Sequence, residues 1–257
     1  MDKSSELQEI IDLTNRLVQG SANKRKGTLA VSPEAAAYYT AIPGRAPGED
    51  SSAPAAPGPY ASMAELEDAV AGCTKCSLCE SRTQTVFADG DPEADLVFIG
   101  EAPGADEDRQ GVPFVGRAGQ LLTRIIENGM KIGRGEVYIC NVLKCRPPNN
   151  RDPLAAEKRT CMPYLEQQLE FVQPKVICCL GRHAANAILG TDEGTGRLRG
   201  KWHFYKGVPV RVTYHPSYLL RLEREPERLN EEKKKVWADV QEVMKVLSGA
   251  IVPAPGD

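Results

Sequence analysis

The sequence has no apolar run approaching the ~20 residues that a membrane span requires, and its first stretch, Met1 to Gly20, is charged and helix-patterned rather than built like a secretory signal. The expectation is a cytoplasmic chain with no membrane association. It also lacks the surplus of basic charge common in proteins that neutralise phosphates: the formal net charge is -3. The deficit is unevenly spread. Residues 1–70 hold 10 acidic and 6 basic side chains, whereas residues 71–257 hold 25 and 26, so the body of the chain is near neutral. There is no internal repeat and no G-x-G-x-x-G opening a helix, which sets aside a dinucleotide fingerprint. Histidine is scarce, with three in 257 residues.

Cysteine is not scarce. Eight cysteines without a secretion signal argue against a disulfide framework, because cytosolic thiols stay reduced, and in favour of metal ligation or burial. Cys73 and Cys76 stand in C-T-K-C, and Cys145 in K-C-R-P-P and Cys161 in T-C-M-P-Y follow much later. Four such thiolates suit either a cubane iron-sulfur cluster or a tetrahedral zinc, and spacing does not choose between them. Cys79 reads as a bystander. Cys140, Cys178 and Cys179 lie in apolar strand-like runs and read as small buried hydrophobes.

Leu7, Ile10, Ile11, Leu17 and Val18 recur at helical spacing, so residues 1–19 read as an amphipathic helix. Residues 20–60, rich in Ala, Pro, Gly and Ser, read as a disordered linker. The segment 61–249 reads as the folded domain and 250–257 as a tail. Within it, Ser62 and Glu65 form a capping box. Strand-like runs at Leu96–Ile99, Val137–Ile139, Val176–Leu180, His203–Tyr205 and Val208–Thr213 alternate with helical patterns at Gly116–Asn128, Pro153–Phe171 (capped by Asp152), Arg182–Leu189 and Glu227–Leu247. Alternation of this kind predicts an α/β fold, a mostly parallel sheet with helices on both faces. Chemistry then belongs in the loops after Ile99, Cys140, Leu180 and Thr213, beyond the carboxyl ends of the strands. Two of those loops are rich in suitable groups: G-E-A-P-G-A-D-E-D-R at residues 100–109 concentrates acid and glycine, and Y-H-P-S-Y-L-L-R at residues 214–221 places His215 before a proline-fixed turn.

Six ordered motifs resemble the family 4 uracil-DNA glycosylases: C-x-x-C-x-L-x-x-x-R from Cys73 to Arg82, G-E-A-P-G at Gly100–Gly104, P-F-V-G-R-A-G at Pro113–Gly119, N-V-x-K-C-R-P-P at Asn141–Pro148, the Cys161 helix, and H-P-S-Y-L-L-R at His215–Arg221. The resemblance implies a three-layer α/β/α sandwich around a four-stranded, mostly parallel sheet. It also implies a structural [4Fe-4S] cluster on Cys73, Cys76, Cys145 and Cys161, and a monomer acting on uracil-containing DNA at the nucleoid. By the same resemblance Gly100, Ala102, Glu107, Phe114, Asn141 and His215 bind uracil. Phe114 stacks on the flipped base, Asn141 reads its edge, and His215 faces O2, where negative charge gathers. Pro216, Ser217, Tyr218, Leu219, Leu220 and Arg221 form the DNA-binding wedge loop. The better-known uracil glycosylases carry an Asp two residues after the Gly of the first motif, where this chain has Ala102, so neighbouring Glu101 becomes the expected water-positioning group beside catalytic His215. No basic insertion lies between Gly194 and Tyr214. Two other readings stand beside this one: a non-catalytic iron-sulfur DNA-binding module on the same fold, and an unrelated zinc protein with a nucleotide-binding sheet. The N-terminal helix, outside the resemblance, is expected to contact a replication or repair protein.

Overall fold

A computed structural model describes residues 59–254. The expected helix at 1–19 and nearly all of the linker at 20–60 lie outside the described residues. The first helix among the described residues is α1 (Met63–Ala71), capped by Ser62, whose hydroxyl accepts from the Glu65 N–H. Six strands follow: β1 (Ala88–Gly90), β2 (Leu96–Gly100), β3 (Tyr138–Asn141), β4 (Val176–Leu180), β5 (Trp202–Tyr205) and β6 (Val208–Thr213). Between and after them come α2 (Ala105–Gln110), α3 (Arg117–Arg124), α4 (Ala155–Val172), α5 (Arg182–Leu189), α6 (Thr195–Leu198), α7 (Pro216–Arg221) and α8 (Pro226–Leu247).

The strands form one mixed sheet in the order β1-β3-β2-β4-β6-β5, not the four-stranded sheet expected from sequence. Its middle, β3-β2-β4-β6, is parallel throughout, and both edges are antiparallel. One edge is the β5–β6 hairpin, which turns on Lys206 (φ 48°) and Gly207 (φ 85°), the paired left-handed residues of a tight hairpin turn. The other edge, β1, is three residues long and carries no apolar alternation, so nothing in its sequence marks it as a strand.

The central strands are buried on both faces and split their side chains between two cores. Leu96 and Phe98 of β2 and Cys178 and Leu180 of β4 pack with Leu122, Ile126, Val236, Val240 and Val243. Val97, Ile99, Ile177 and Cys179, one residue out of phase, pack with Leu165, Leu169, Ala184, Ala185 and Ile188. Period-2 alternation therefore places α3 and α8 on one side of the sheet and α4 and α5 on the other. Cys140, Cys178 and Cys179 are buried among these apolar residues, as their strand positions imply.

One helix start and one helix end differ from expectation. The helix assigned to Pro153 begins at Ala155, because the Glu157 carboxylate accepts from the Leu154 N–H at 2.8 Å and pairs with Arg151. Asp152, expected as its cap, instead pairs with Arg182 and His183. After α3 the chain continues through a wider π turn, Ile125–Met130, instead of extending the helix to Asn128.

Candidate active site

The loops beyond the carboxyl ends of β2, β3, β4 and β6 meet around one cleft. It is lined by Glu101, Ala102, Glu107, Phe114, Asn141 and His215, among others. Its floor depends on Gly100. A Cβ there would lie 2.3 Å from Asn141 Oδ1 and 2.5 Å from the Phe114 ring, so any side chain would displace the two groups expected to hold a base. Phe114 has a positive φ of 54°, costly for an aromatic residue, and the loop that holds it is tightly built. A Cβ on Gly119 would come within 1.8 Å of the Phe114 carbonyl oxygen. Arg134 donates to Pro113 O (2.8 Å), Thr123 Oγ1 (2.8 Å) and Asp89 Oδ2 (2.9 Å), tying the residue before Phe114 to α3 and to the sheet edge.

The acids of the first loop have distinct roles. Glu107 accepts from the Gly104, Val115 and Gly116 N–H groups at 3.1, 3.0 and 2.9 Å, so it joins the two glycine-rich motifs although it also borders the cleft. Asp108 is buried and accepts from the Thr83 N–H and hydroxyl, while Asp106 pairs with Arg109. Glu101 remains turned to the cleft. Burial, with the nearby Asp152 charge, pushes its carboxyl up to about 7.

Asn141 ends β3, 2% exposed, with its side-chain Oδ1 buried and without a hydrogen-bond partner. Leaving such an acceptor unmet costs about 1–3 kcal/mol, a penalty that a ligand N–H aimed at it would remove. Its backbone is held on both sides: Val142 N–H donates to Gly100 O, and the buried Lys144 ammonium donates to Asn141 O at 2.7 Å. The His215 ring lies 5.6 Å from the Phe114 ring between centroids. Burial, reinforced by Arg221 and His183, lowers the His215 pKa to about 4, so the imidazole is neutral near pH 7. Ser217 N–H donates to His215 Nδ1 at 3.1 Å, which makes Nδ1 an acceptor and assigns the single ring proton to Nε2.

The segment expected as a wedge loop is instead the short helix α7. Ser217, Tyr218 and Arg221 line the cleft, whereas Pro216 and Leu219 are buried and Leu220 packs against the core. The ring of Tyr218 lies 4.9 Å from that of Tyr214. Sequence reasoning missed several cleft residues, notably Asp152 and His183, which approach each other at 3.2 Å. The available signal was topological: His183 opens α5 just beyond the carboxyl end of β4, where a parallel sheet puts its ligands.

Cys73, Cys76, Cys145 and Cys161 line a second, narrow pocket together with Leu78, Arg82, Leu143, Lys144 and Tyr164. Arg82 donates to Cys145 Sγ at 3.0 Å and Lys144 N–H to Cys161 Sγ at 3.4 Å, so positive and N–H groups face the sulfurs. Burial raises the Cys145 thiol and pushes that of Cys161 up to about 11, a penalty that metal ligation would reverse. A tetrahedral zinc, with Zn–S near ~2.3 Å, draws its sulfurs to roughly 3.8 Å from one another. Four soft thiol donors around one pocket suit a metal centre of either kind, a zinc ion or an iron-sulfur cluster. Cys79 does not line this pocket. Among the described residues no helix is long and apolar enough to cross a membrane.

The profile of the uracil DNA glycosylase superfamily matches residues 87–241. The chain is 43% identical over 185 residues to the type-4 uracil-DNA glycosylase of Archaeoglobus fulgidus, covering 68% of this chain and 92% of that protein. It is 42% identical to the type-4 uracil-DNA glycosylase of Thermotoga maritima (70% and 91% covered) and 41% identical to that of Sulfurisphaera tokodaii (68% and 83%). With the six motifs folded around one cleft and one cysteine pocket, and with likeness of this extent, the chain belongs to the uracil DNA glycosylase superfamily, in its type-4 group.

Proposed function

We propose that the chain is a DNA-repair hydrolase that flips uracil out of DNA and cleaves its N-glycosidic bond, leaving an abasic site. The observation that carries this reading is the unmatched, buried Oδ1 of Asn141 in the cleft that Phe114 and a neutral His215 also line. Uracil presents an N3–H donor to that oxygen and an O4 acceptor to the amide's N–H groups. Cytosine presents the opposite pattern and leaves the oxygen unmet. Phe114 supplies the stacking face. The Nε2–H of His215 points its dipole at O2, where charge collects as the base departs, and one such donor contributes about 10²–10³ in rate. Glu101, held partly protonated near neutrality, is the group we assign to the attacking water.

Tyr218, Ser217 and Arg221 present the surface that enters the duplex beside the vacated position, with Pro216, Leu219 and Leu220 anchoring it to the core. Glu107, Gly100 and Ala102 shape the loop around the base. Cys73, Cys76, Cys145 and Cys161 would hold a [4Fe-4S] cluster, which when bound supplies a structural staple and no step of the hydrolysis. Residues 61–249 would act as a monomeric catalytic unit in the cytoplasm, at the nucleoid. Residues 1–19 would contact a replication or repair partner through the linker at 20–60.

Incubating the full chain with a uracil-bearing oligonucleotide, followed by alkaline cleavage of abasic sites, tests the proposal. Strand scission at the uracil position is the expected result, and His215→Gln is expected to lower the single-turnover rate about 10²–10³-fold. Binding of the oligonucleotide without scission would replace the enzyme by a DNA-binding module on the same fold.

A further inference from the structure

Glu101 does not face the cleft alone. His183, in the first turn of α5, brings Nε2 to 3.8 Å from Glu101 Oε2 and 3.2 Å from Asp152 Oδ2. One atom from each of the three side chains lies within 4.8 Å of the other two, and all three residues line the same cleft as Phe114, Asn141 and His215. The centre of so small a triangle lies within about 3 Å of every corner, the reach of a hydrogen bond. A water needs two to four polar partners, and three converge here. The Arg182 guanidinium, 3.4 Å from Asp152 Oδ2, and the charge of Lys158 favour a neutral occupant over a divalent cation. None of the six sequence motifs contains Asp152 or His183.

We propose that Asp152 and His183 complete, with Glu101, the site that holds the attacking water, an inference that rests on the glycosylase reading of the cleft. The water oxygen bonds to the sugar C1′ as the C1′–N1 bond breaks. Its electron pair leaves on uracil, and the water proton passes to the Glu101 carboxylate. His183 and Asp152, held to each other through Nε2 and Oδ2, orient the water as a pair. Because burial lowers the pKa of His183, its imidazole serves as a neutral hydrogen-bonding group rather than a counter-ion. The charged groups facing Glu101 are Asp152, Arg182 and Lys158, and Asp152 opposes its ionisation.

The test uses single-turnover excision by Asp152→Asn and His183→Gln variants of the full chain. Free-uracil inhibition and iron content are measured in parallel. Asp152 is 73% exposed, so the first variant is expected to fold normally. Both are expected to lose about 10- to 100-fold in the chemical step, the scale of a misplaced reactant, with uracil inhibition and iron unchanged. In Asp152→Asn the acid limb of the pH–rate profile moves to lower pH, because removing the neighbouring charge lets Glu101 ionise sooner, and Asp152→Glu restores it. Rates within twofold of wild type in both variants overturn the inference, as does a loss of uracil inhibition that accompanies the loss of rate. Glu101→Gln, assayed alongside, separates the levels. Its retention of full rate would remove Glu101 from the mechanism. Its inactivity beside fully active Asp152→Asn and His183→Gln proteins would remove only these two residues. Absence of excision by the wild-type chain would overturn the glycosylase reading itself.

Discussion

The base cleft and the cysteine pocket draw on the same stretch of chain yet are held together by opposite means. Residues 141–161 supply Asn141 and Asp152 to the cleft, and Cys145 and Cys161 to the pocket. The cleft is organised by the protein's own hydrogen bonds. Gly100 O and Glu101 O accept from the Val142 and Leu143 N–H groups at 3.0 Å each, Glu107 joins two loops, and Ser217 fixes the His215 ring. The pocket gathers sulfurs from a turn after α1, a loop after β3 and the helix α4, and burial keeps the Cys145 and Cys161 thiols protonated until something ligates them. The cleft is preorganised for a ligand that comes and goes. The pocket, on the proposed reading, relies on a bound metal centre to hold its segments together.

Removing that occupant therefore has the largest expected effect. Cys145→Ala or Cys161→Ala is expected to lower iron content and soluble yield together, because a centre joining segments more than 60 residues apart in sequence contributes folding free energy. Iron per protein and the soluble fraction on expression measure it. Full solubility and activity in iron-free variants would show that the pocket, like the cleft, organises itself.

A smaller effect is expected where the cleft relies on a distant clamp. Arg134→Ala removes three hydrogen bonds that hold Pro113, α3 and β1 in register, and with them the support of strained Phe114. We expect kcat/KM on a uracil oligonucleotide to fall about 10-fold, roughly 1.4 kcal/mol, with free-uracil inhibition weakened and iron retained. Weakened uracil inhibition is the readout that a general loss of stability would not give.

The smallest effect separates the two titrating groups within the cleft. His215 has a folded pKa of about 4, below its usual 6.5, so its contribution to stability is complete above 6.5 and is lost as the pH falls toward 4. Glu101 has a folded pKa of about 7, above its usual 4.5, so its contribution is complete below 4.5 and is lost as the pH rises through 7. Between pH 4.5 and 6.5 the two oppose each other. Relative to wild type, Glu101→Gln is expected to lose stability more steeply on acidification and His215→Gln less steeply, as read from denaturant midpoints at pH 5 and pH 7. Parallel curves for all three proteins would show that neither group is tuned by the cleft.

Much of this was legible in the sequence because the relevant signals are local. Continuous apolar runs at Leu96–Ile99 and Val176–Leu180 mark strands buried on both faces, and the glycines and prolines of the motifs mark the loops that follow them. Gly119 is required by its contact with Phe114, a residue within the same motif. The misreadings fall where a local signal was overruled from elsewhere. Asp152 looks like a cap, but Glu157 and Arg151 take over the start of α4. The residues from Pro216 look like a loop, but burial of Leu219 and Pro216 against the core winds them into a helix.

By itself the sequence determined the strand and helix alternation and the identity of the loops that line the cleft, since each depends on side-chain pattern within one segment. Only the tertiary structure decided that the sheet has six strands, that Oδ1 of Asn141 is buried without a partner, that the His215 proton sits on Nε2, and that His183 and Asp152 stand beside Glu101. The physical reason is that these properties depend on what approaches a residue from other segments. Burial, which shifts the titrating groups, and hydrogen-bond partnership, which fixes tautomers and leaves acceptors unmet, are set by neighbours distant along the chain.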